Sequence, residues 1–143
     1  MHSDTLLDRK IALVTCMDPR IRLGHSPGVT PQAFVLRNAG GRVTDDVVRG
    51  LLLCTRVIEV TEIGVLHHND CRLHGTNNIE LGLRTGVAMD YLPFADLAES
   101  VRDDVSYLRS RMLFSTTPIW GGLYDVDSQR IEMVVDAAPL AQN

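Results

Sequence analysis

Ile11-Ala12-Leu13-Val14-Thr15-Cys16-Met17-Asp18-Pro19-Arg20 is the stretch on which the fold reading turns. Its first five residues are a continuous apolar run that ends abruptly in polar chemistry. A short unbroken run of this kind predicts a strand covered on both faces, as in a parallel sheet. Two further runs repeat the pattern, Ala33 to Leu36 and Glu62 to Leu66. Between them lies a helical pattern, Val47, Val48, Leu51 and Leu52, beginning after Thr44 with Asp45 and Asp46 in its first turn. Acidic side chains there favour the positive end of the helix dipole. Strand, helix, strand at this spacing is a βαβ unit, so the sheet is expected to be parallel.

Farther along, several Gly and Asn between Gly75 and Gly86 loosen the pattern, and no element is predicted there. Leu97, Val101, Val105, Leu108 and Met112 then line one face of an amphipathic helix after Asp96. Ile119 to Val126 and Ile131 to Val135 read as a hairpin turning through Asp127-Ser128-Gln129-Arg130. The expected fold class is α/β, a mainly parallel sheet flanked by helices with an antiparallel closing strand. The chain is expected to form one domain over residues 1–143, with a core of about 10–135.

Composition narrows the function. A hydrophobic content of 45% is that of an ordinary globular core, and the net charge of −4 carries no basic footprint for nucleic acid. The start lacks the basic stretch and apolar run of a signal peptide, and no segment approaches the ~20 apolar residues of a membrane span. A cytoplasmic protein without membrane or nucleic-acid partners is expected. Three cysteines cannot all pair within one chain, so a disulfide framework is not expected. Cys54, inside Leu51-Leu52-Leu53-Cys54, reads as a buried, inert thiol.

Parallel sheets place binding sites beyond the carboxyl ends of their strands. Cys16 follows the first strand, Arg37-Asn38 the second, and His67 to Cys71 the third. In His68-Asn69-Asp70-Cys71 an imidazole and a thiol stand three residues apart, close enough to share an ion. With Cys16 the set is two thiols and one imidazole, donors that select zinc over magnesium, calcium or manganese. Three protein ligands leave one tetrahedral position open, the pattern of a catalytic site. On spacing alone a second reading stands beside this one: two buried thiols and a satisfied core histidine. His67 could equally replace His68, although neighbouring strand residues face opposite ways. Gly40 and Gly41 lack a Walker lysine or a Gly-x-Gly-x-x-Gly spacing, so tight backbone packing is a better reading than a phosphate loop. His25 and His74 are candidate proton relays, with a solvated surface role the simpler reading of each.

Cys16-Met17-Asp18-Pro19-Arg20 resembles the Cys-x-Asp-x-Arg motif of the β-carbonic anhydrases. His68-Asn69-Asp70-Cys71 resembles their His-x-x-Cys motif, and Arg37-Asn38-Ala39-Gly40-Gly41 their Arg-Asn-Ala-Gly stretch, in the family's order. The resemblance covers roughly residues 10 to 135. It implies Cys16, His68 and Cys71 as zinc ligands, and His68 in preference to His67. It implies Asp18 and Arg20 as the dyad beside the metal, where Arg20 holds the carboxylate away from the ion by a bidentate pair. An ordinary surface ion pair is the plainer reading of the same two residues. The implied activity is reversible hydration of carbon dioxide to bicarbonate by a homodimer or higher homo-oligomer. Hydrolysis of carbonyl sulfide or carbon disulfide on the same site stays open, as does a non-catalytic zinc or thiol-sensing module. Arg72 stands where the family commonly has Gly after the second thiol, which leaves the small-molecule substrate the most open part of the reading.

Overall fold

All six residues of Ile11–Cys16 are buried, and this run forms β1. A computed structural model describes residues 10–25 and 33–137 of the chain. On one side β1 pairs in parallel with β2 (Phe34–Asn38), and on the other with β3 (Glu62–His68). β4 (Ile119–Tyr124) continues the sheet parallel to β3, and β5 (Ile131–Val135) closes it antiparallel to β4. The strand order is therefore β2-β1-β3-β4-β5, a mainly parallel sheet with one antiparallel pair. No described helix is long and apolar enough to cross a membrane.

Alternation along β1 feeds two cores. Ala12 and Val14 face α1 (Asp45–Leu53) and α3 (Leu97–Ser110), through Val47, Val48, Leu51, Val101, Val105 and Leu108. Ile11 and Leu13 face the other way, toward Ile21, Leu73, Phe94 and Trp120. Thr44 caps α1 by accepting the Val47 N–H at 3.3 Å, and Asp96 caps α3 by accepting the Glu99 N–H at 2.9 Å. α3 lies close on β4 because Gly121 has no side chain there; a Cβ would meet Val101 Cγ1 at 2.4 Å.

Three details differ from expectation. β2 is an edge strand with Phe34 40% and Val35 38% exposed, so its apolar run is not covered on both faces. An apolar run alone does not say which strand lies at the margin. Met112 is 74% exposed with φ 63°, because α3 stops at Ser110 and the chain turns away before completing the predicted stripe. The loosened segment after Cys71 contains a helix, α2 (Asn78–Thr85), capped by Asn77 and closed by Gly86 at φ 81°. None of its residues is fully buried: Leu81 packs on the core at its margin, while Ile79 and Leu83 stay exposed, so the helix rests on its caps more than on a covered face.

One buried ion pair joins α3 to the turn that underlies the carboxyl end of β1. Arg42 Nε donates to Asp104 Oδ2 at 2.9 Å and Nη2 to Oδ1 at 3.2 Å, while the Val43 N–H reaches Oδ2 at 3.2 Å. Arg42 Nη1 also donates to the Leu92 carbonyl at 2.7 Å. Burial would push the Asp104 carboxyl up, but the hydrogen bonds from His67 and Arg42 outweigh it and hold the group below its ordinary value. Removing one partner of such a pair strands the other in a dry environment. Asp104→Asn should therefore cost about 3 kcal/mol of unfolding free energy near neutral pH. A carboxylate with a lowered folded pKa stabilises above its unfolded pKa of about 3.9 and loses that contribution as pH falls. Urea titrations of wild type and Asp104→Asn should show a gap that narrows below about pH 4. A gap unchanged between neutral and strongly acidic pH would assign the stabilisation to packing instead of charge.

Candidate metal centre

β1 and β3 run side by side, so their last residues, Cys16 and His67-His68, arrive at the same end of the sheet. The two histidines then diverge. His67 is fully buried toward α3, with Nδ1 2.7 Å from Ser100 Oγ, and Nε2 3.1 Å from the Gly41 carbonyl and 3.2 Å from Asp104 Oδ2. Its polar atoms are accounted for within the fold. His68 faces the opposite way and is just as dry. Its Nδ1 lies 2.6 Å from the Asn69 carbonyl, and since a carbonyl only accepts, Nδ1 carries the proton. Nε2 is thereby left as a lone-pair donor, and it is buried with no hydrogen-bond partner.

That orphan nitrogen points into a cluster. The ligand atoms of Cys16, His68 and Cys71 all lie within 4.8 Å of one another, the one group of this kind among the described residues. Asp70, at φ 57°, turns the chain so that Cys71 comes back beside His68. Cys16 is approached from behind by the Ala39–Gly41 turn, where the Gly40 N–H donates to its sulfur at 3.3 Å. Gly41 makes that approach possible at φ 65°; a Cβ would meet the Cys16 nitrogen at 2.8 Å. Arg37 braces the same loop, donating to the carbonyls of Cys16 and Ile21, each at 2.9 Å.

The electrostatics favour a thiolate at Cys16. A hydrogen bond from the Cys71 thiol, opposed by burial but aided by His68 and the backbone of Asp18 and Gly40, lowers its pKa to about 4. Cys71 moves upward, because it faces that thiolate and is itself buried. Burial opposes charge on His68, yet the Cys16 thiolate and the Asn69 carbonyl raise its pKa above the ordinary value. Cys54, by contrast, is pushed up by burial among apolar neighbours and takes no part in the cluster. Two thiols and a lone-pair nitrogen, with no bond satisfying that nitrogen, fit a soft divalent ion.

Asp18 and Arg20 stand at the open side. Arg20 Nε donates to Asp18 Oδ1 at 3.1 Å and Nη2 to Oδ2 at 2.7 Å, and the Arg20 N–H adds a 2.9 Å bond to Oδ1. This fork holds the Asp18 carboxyl at about 2, against the opposing effect of burial. Asp18 Oδ2 is 4.0 Å from His68 Nε2. Arg20 also reaches Asp70, a residue that spacing marks only by its place between His68 and Cys71. His74 is exposed, stacked on Phe94, with Nε2 3.0 Å from the Ala95 carbonyl. The side chain of His25 lies outside the described residues, and Arg72 is exposed.

Comparison with known proteins agrees with this geometry. No family model matches the chain. β-Carbonic anhydrase 1 of Mycobacterium tuberculosis is 31% identical over 134 residues, covering 88% of this chain and 82% of that protein. A carbon disulfide hydrolase of Saccharolobus solfataricus is 37% identical over 99 residues, 66% of this chain but only 48% of that protein's length. Among solved structures, the carbonic anhydrase of Streptococcus mutans superposes with a TM-score of 0.79 at 41% identity, covering 87% of this chain and 80% of that one. A Cys-His-Cys cluster at the ends of β1 and β3, a relative 31% identical over 88% of this chain, and a solved carbonic anhydrase that superposes with a TM-score of 0.79 lead to one conclusion: the chain belongs to the β-carbonic anhydrase family.

Proposed function

We propose that the chain binds one zinc ion through Cys16, His68 and Cys71 and catalyses the reversible hydration of carbon dioxide to bicarbonate. The observation that carries this reading is the convergence of two thiols and an unpartnered imidazole nitrogen beside a carboxylate clamped by an arginine. Thiolate and imidazole donors favour zinc, and three of them leave a fourth tetrahedral position. Zinc held there would bring the ionisation of water toward neutral pH, which supplies a nucleophile for a carbon electrophile.

The remaining chemistry belongs to the side chains. Asp18 is ionised across the neutral range, so it is a permanent hydrogen-bond acceptor facing the open side of the cluster. An acceptor in that place orients a donor oxygen and aims its free lone pair at the substrate carbon. Arg20 has the complementary task. It occupies both carboxylate oxygens of Asp18, which removes them from competition for the metal. The Asn69 carbonyl fixes the His68 tautomer, a common support for a ligating imidazole. The same reading takes the 143 residues as one domain and the working unit as at least a homodimer.

A second substrate is favoured by one observation, the 37% identity to a protein named carbon disulfide hydrolase. Carbon disulfide and carbonyl sulfide are linear, small and electrophilic at carbon, so the same positioned groups would serve. The exposed Arg72 follows Cys71 directly in the chain.

Elemental analysis of the purified protein should find about one zinc per chain, the stoichiometry of a three-ligand site. Cys16→Ser and Cys71→Ser should lose it, whereas Cys54→Ser should retain it. Loss of zinc from Cys54→Ser alone would mean that the thiols are wrongly assigned.

Arg20→Ala should keep its zinc and lose activity by on the order of 10²-fold, as expected when a positioned group goes astray. Stopped-flow hydration of carbon dioxide and hydrogen sulfide release from carbon disulfide should be followed on the same zinc-loaded samples. Whichever reaction falls in Arg20→Ala identifies the substrate this site serves. Full activity with full zinc would rule out Arg20 as guardian of the open position.

A further inference from the structure

We propose that Asp70 is a positioning residue: by holding the far side of the Arg20 guanidinium, it sets where Asp18 stands relative to the metal cluster. This rests on the reading of Cys16, His68 and Cys71 as ligands. The Arg20–Asp18 fork by itself is local. The two residues lie two apart on one loop, so their mutual hydrogen bonds fix the pair's internal geometry but not its distance from His68 and Cys71. A second anchor is needed on the β3 side.

Asp70 supplies it. Arg20 Nη1 donates to Asp70 Oδ2 at 2.9 Å, and Nη2 donates to the Asp70 carbonyl at 3.1 Å, across a separation of 50 residues. Of the five N–H donors of a guanidinium, four are thus engaged by the two aspartates. The planar fork leaves little freedom once both edges are held. Arg20 becomes a strut between the carboxyl end of β1 with its following loop, which carry Cys16 and Asp18, and the carboxyl end of β3 with its following loop, which carry His68 and Cys71. Arg37 braces the backbone of the first loop from the β2 side, but its bonds end on carbonyls and do not reach the Asp18 carboxylate.

The backbone at Asp70 strengthens the argument. Its φ of 57° lies in the left-handed region, where glycine is least strained and Asp and Asn are tolerated. Backbone conformation alone would be met by glycine. A carboxylate at this position has something further to hold, and the group it holds is Arg20.

The consequence is a competition. With Asp70 removed, Arg20 can swing on its own loop and release one edge of Asp18, whose oxygen then competes for the open coordination position. Asp70→Asn keeps the backbone preference and removes the charge; Asp70→Gly keeps the backbone and removes the side chain, and serves if the first variant folds poorly.

The test uses the cobalt(II)-substituted 143-residue chain, whose visible absorption reports ligands at the metal, titrated with azide as a small competing anion. Wild type, Asp70→Asn, Asp18→Asn and the double variant are compared. Asp70→Asn should bind cobalt at unchanged stoichiometry but azide roughly three- to tenfold more weakly, the scale of a partly exposed charged pair. In the Asp18→Asn background the same change should have no effect, because the competing carboxylate is gone. Unchanged azide affinity in Asp70→Asn, or a loss that persists without Asp18, overturns the positioning role while leaving the metal site standing. A wild type that takes up no cobalt overturns the metal reading, and this inference with it.

Discussion

Parallel pairing of β1 with β3 is the constraint on which everything else in this protein depends. Thr15 sits opposite Leu66 in that ladder, 51 positions away in sequence, so the next residues of each strand emerge side by side at one end of the sheet. An antiparallel arrangement would have sent Cys16 and His68 to opposite ends of the sheet. The parallel one requires a long crossover, and the chain spends it on β2, the Ala39–Gly41 turn and α1. The first two of those segments then return something to the site: Arg37 braces the Cys16 loop, and the Gly40 N–H supports the sulfur.

Two networks of opposite character surround the cluster. Behind it, Arg42, Asp104, His67 and Ser100 form a dry lattice that locks α3 to the base of the site. Every polar group named there is engaged, as burial demands. In front of it, Asp18, Arg20 and Asp70 are partly solvated and satisfy one another. Between the two stands His68 Nε2, buried and without a partner. An unsatisfied polar atom is costly inside a protein, and a family of metalloenzymes offers the reason for it here. The rigid network fixes where the donors are, and in the function proposed above the front one governs what can approach them.

The adjacent histidines show how the fold divides similar side chains between those tasks. Alternation along β3 sends His67 into the α3 layer and His68 to the opposite layer. The division needs no difference in the residues themselves.

Much of this was legible in the chain. The unbroken run Ile11 to Thr15, the capped pattern after Thr44 and the hairpin around Asp127 are local signals, set by near neighbours, and they carried the α/β class and the parallel sheet. Spacing brought Cys16, Cys71 and one of the two histidines together as donors, and the resemblance to the β-carbonic anhydrases singled out His68, Asp18 and Arg20. What spacing could not supply was whatever depends on partners distant in sequence. The edge position of β2 is a fact about the sheet, not about Phe34 or Val35. α2 is held by its Asn77 cap and Gly86 stop, with only Leu81 resting on the core, and its glycine- and asparagine-rich surroundings read as a loop. The Arg42–Asp104 pair and the Arg20–Asp70 strut join residues 62 and 50 positions apart, and only the crossover topology brings them together. Residue type and local order determined the elements and the candidate donors; the tertiary structure alone decided which groups meet, because long-range contact is a property of how strands are ordered in the sheet.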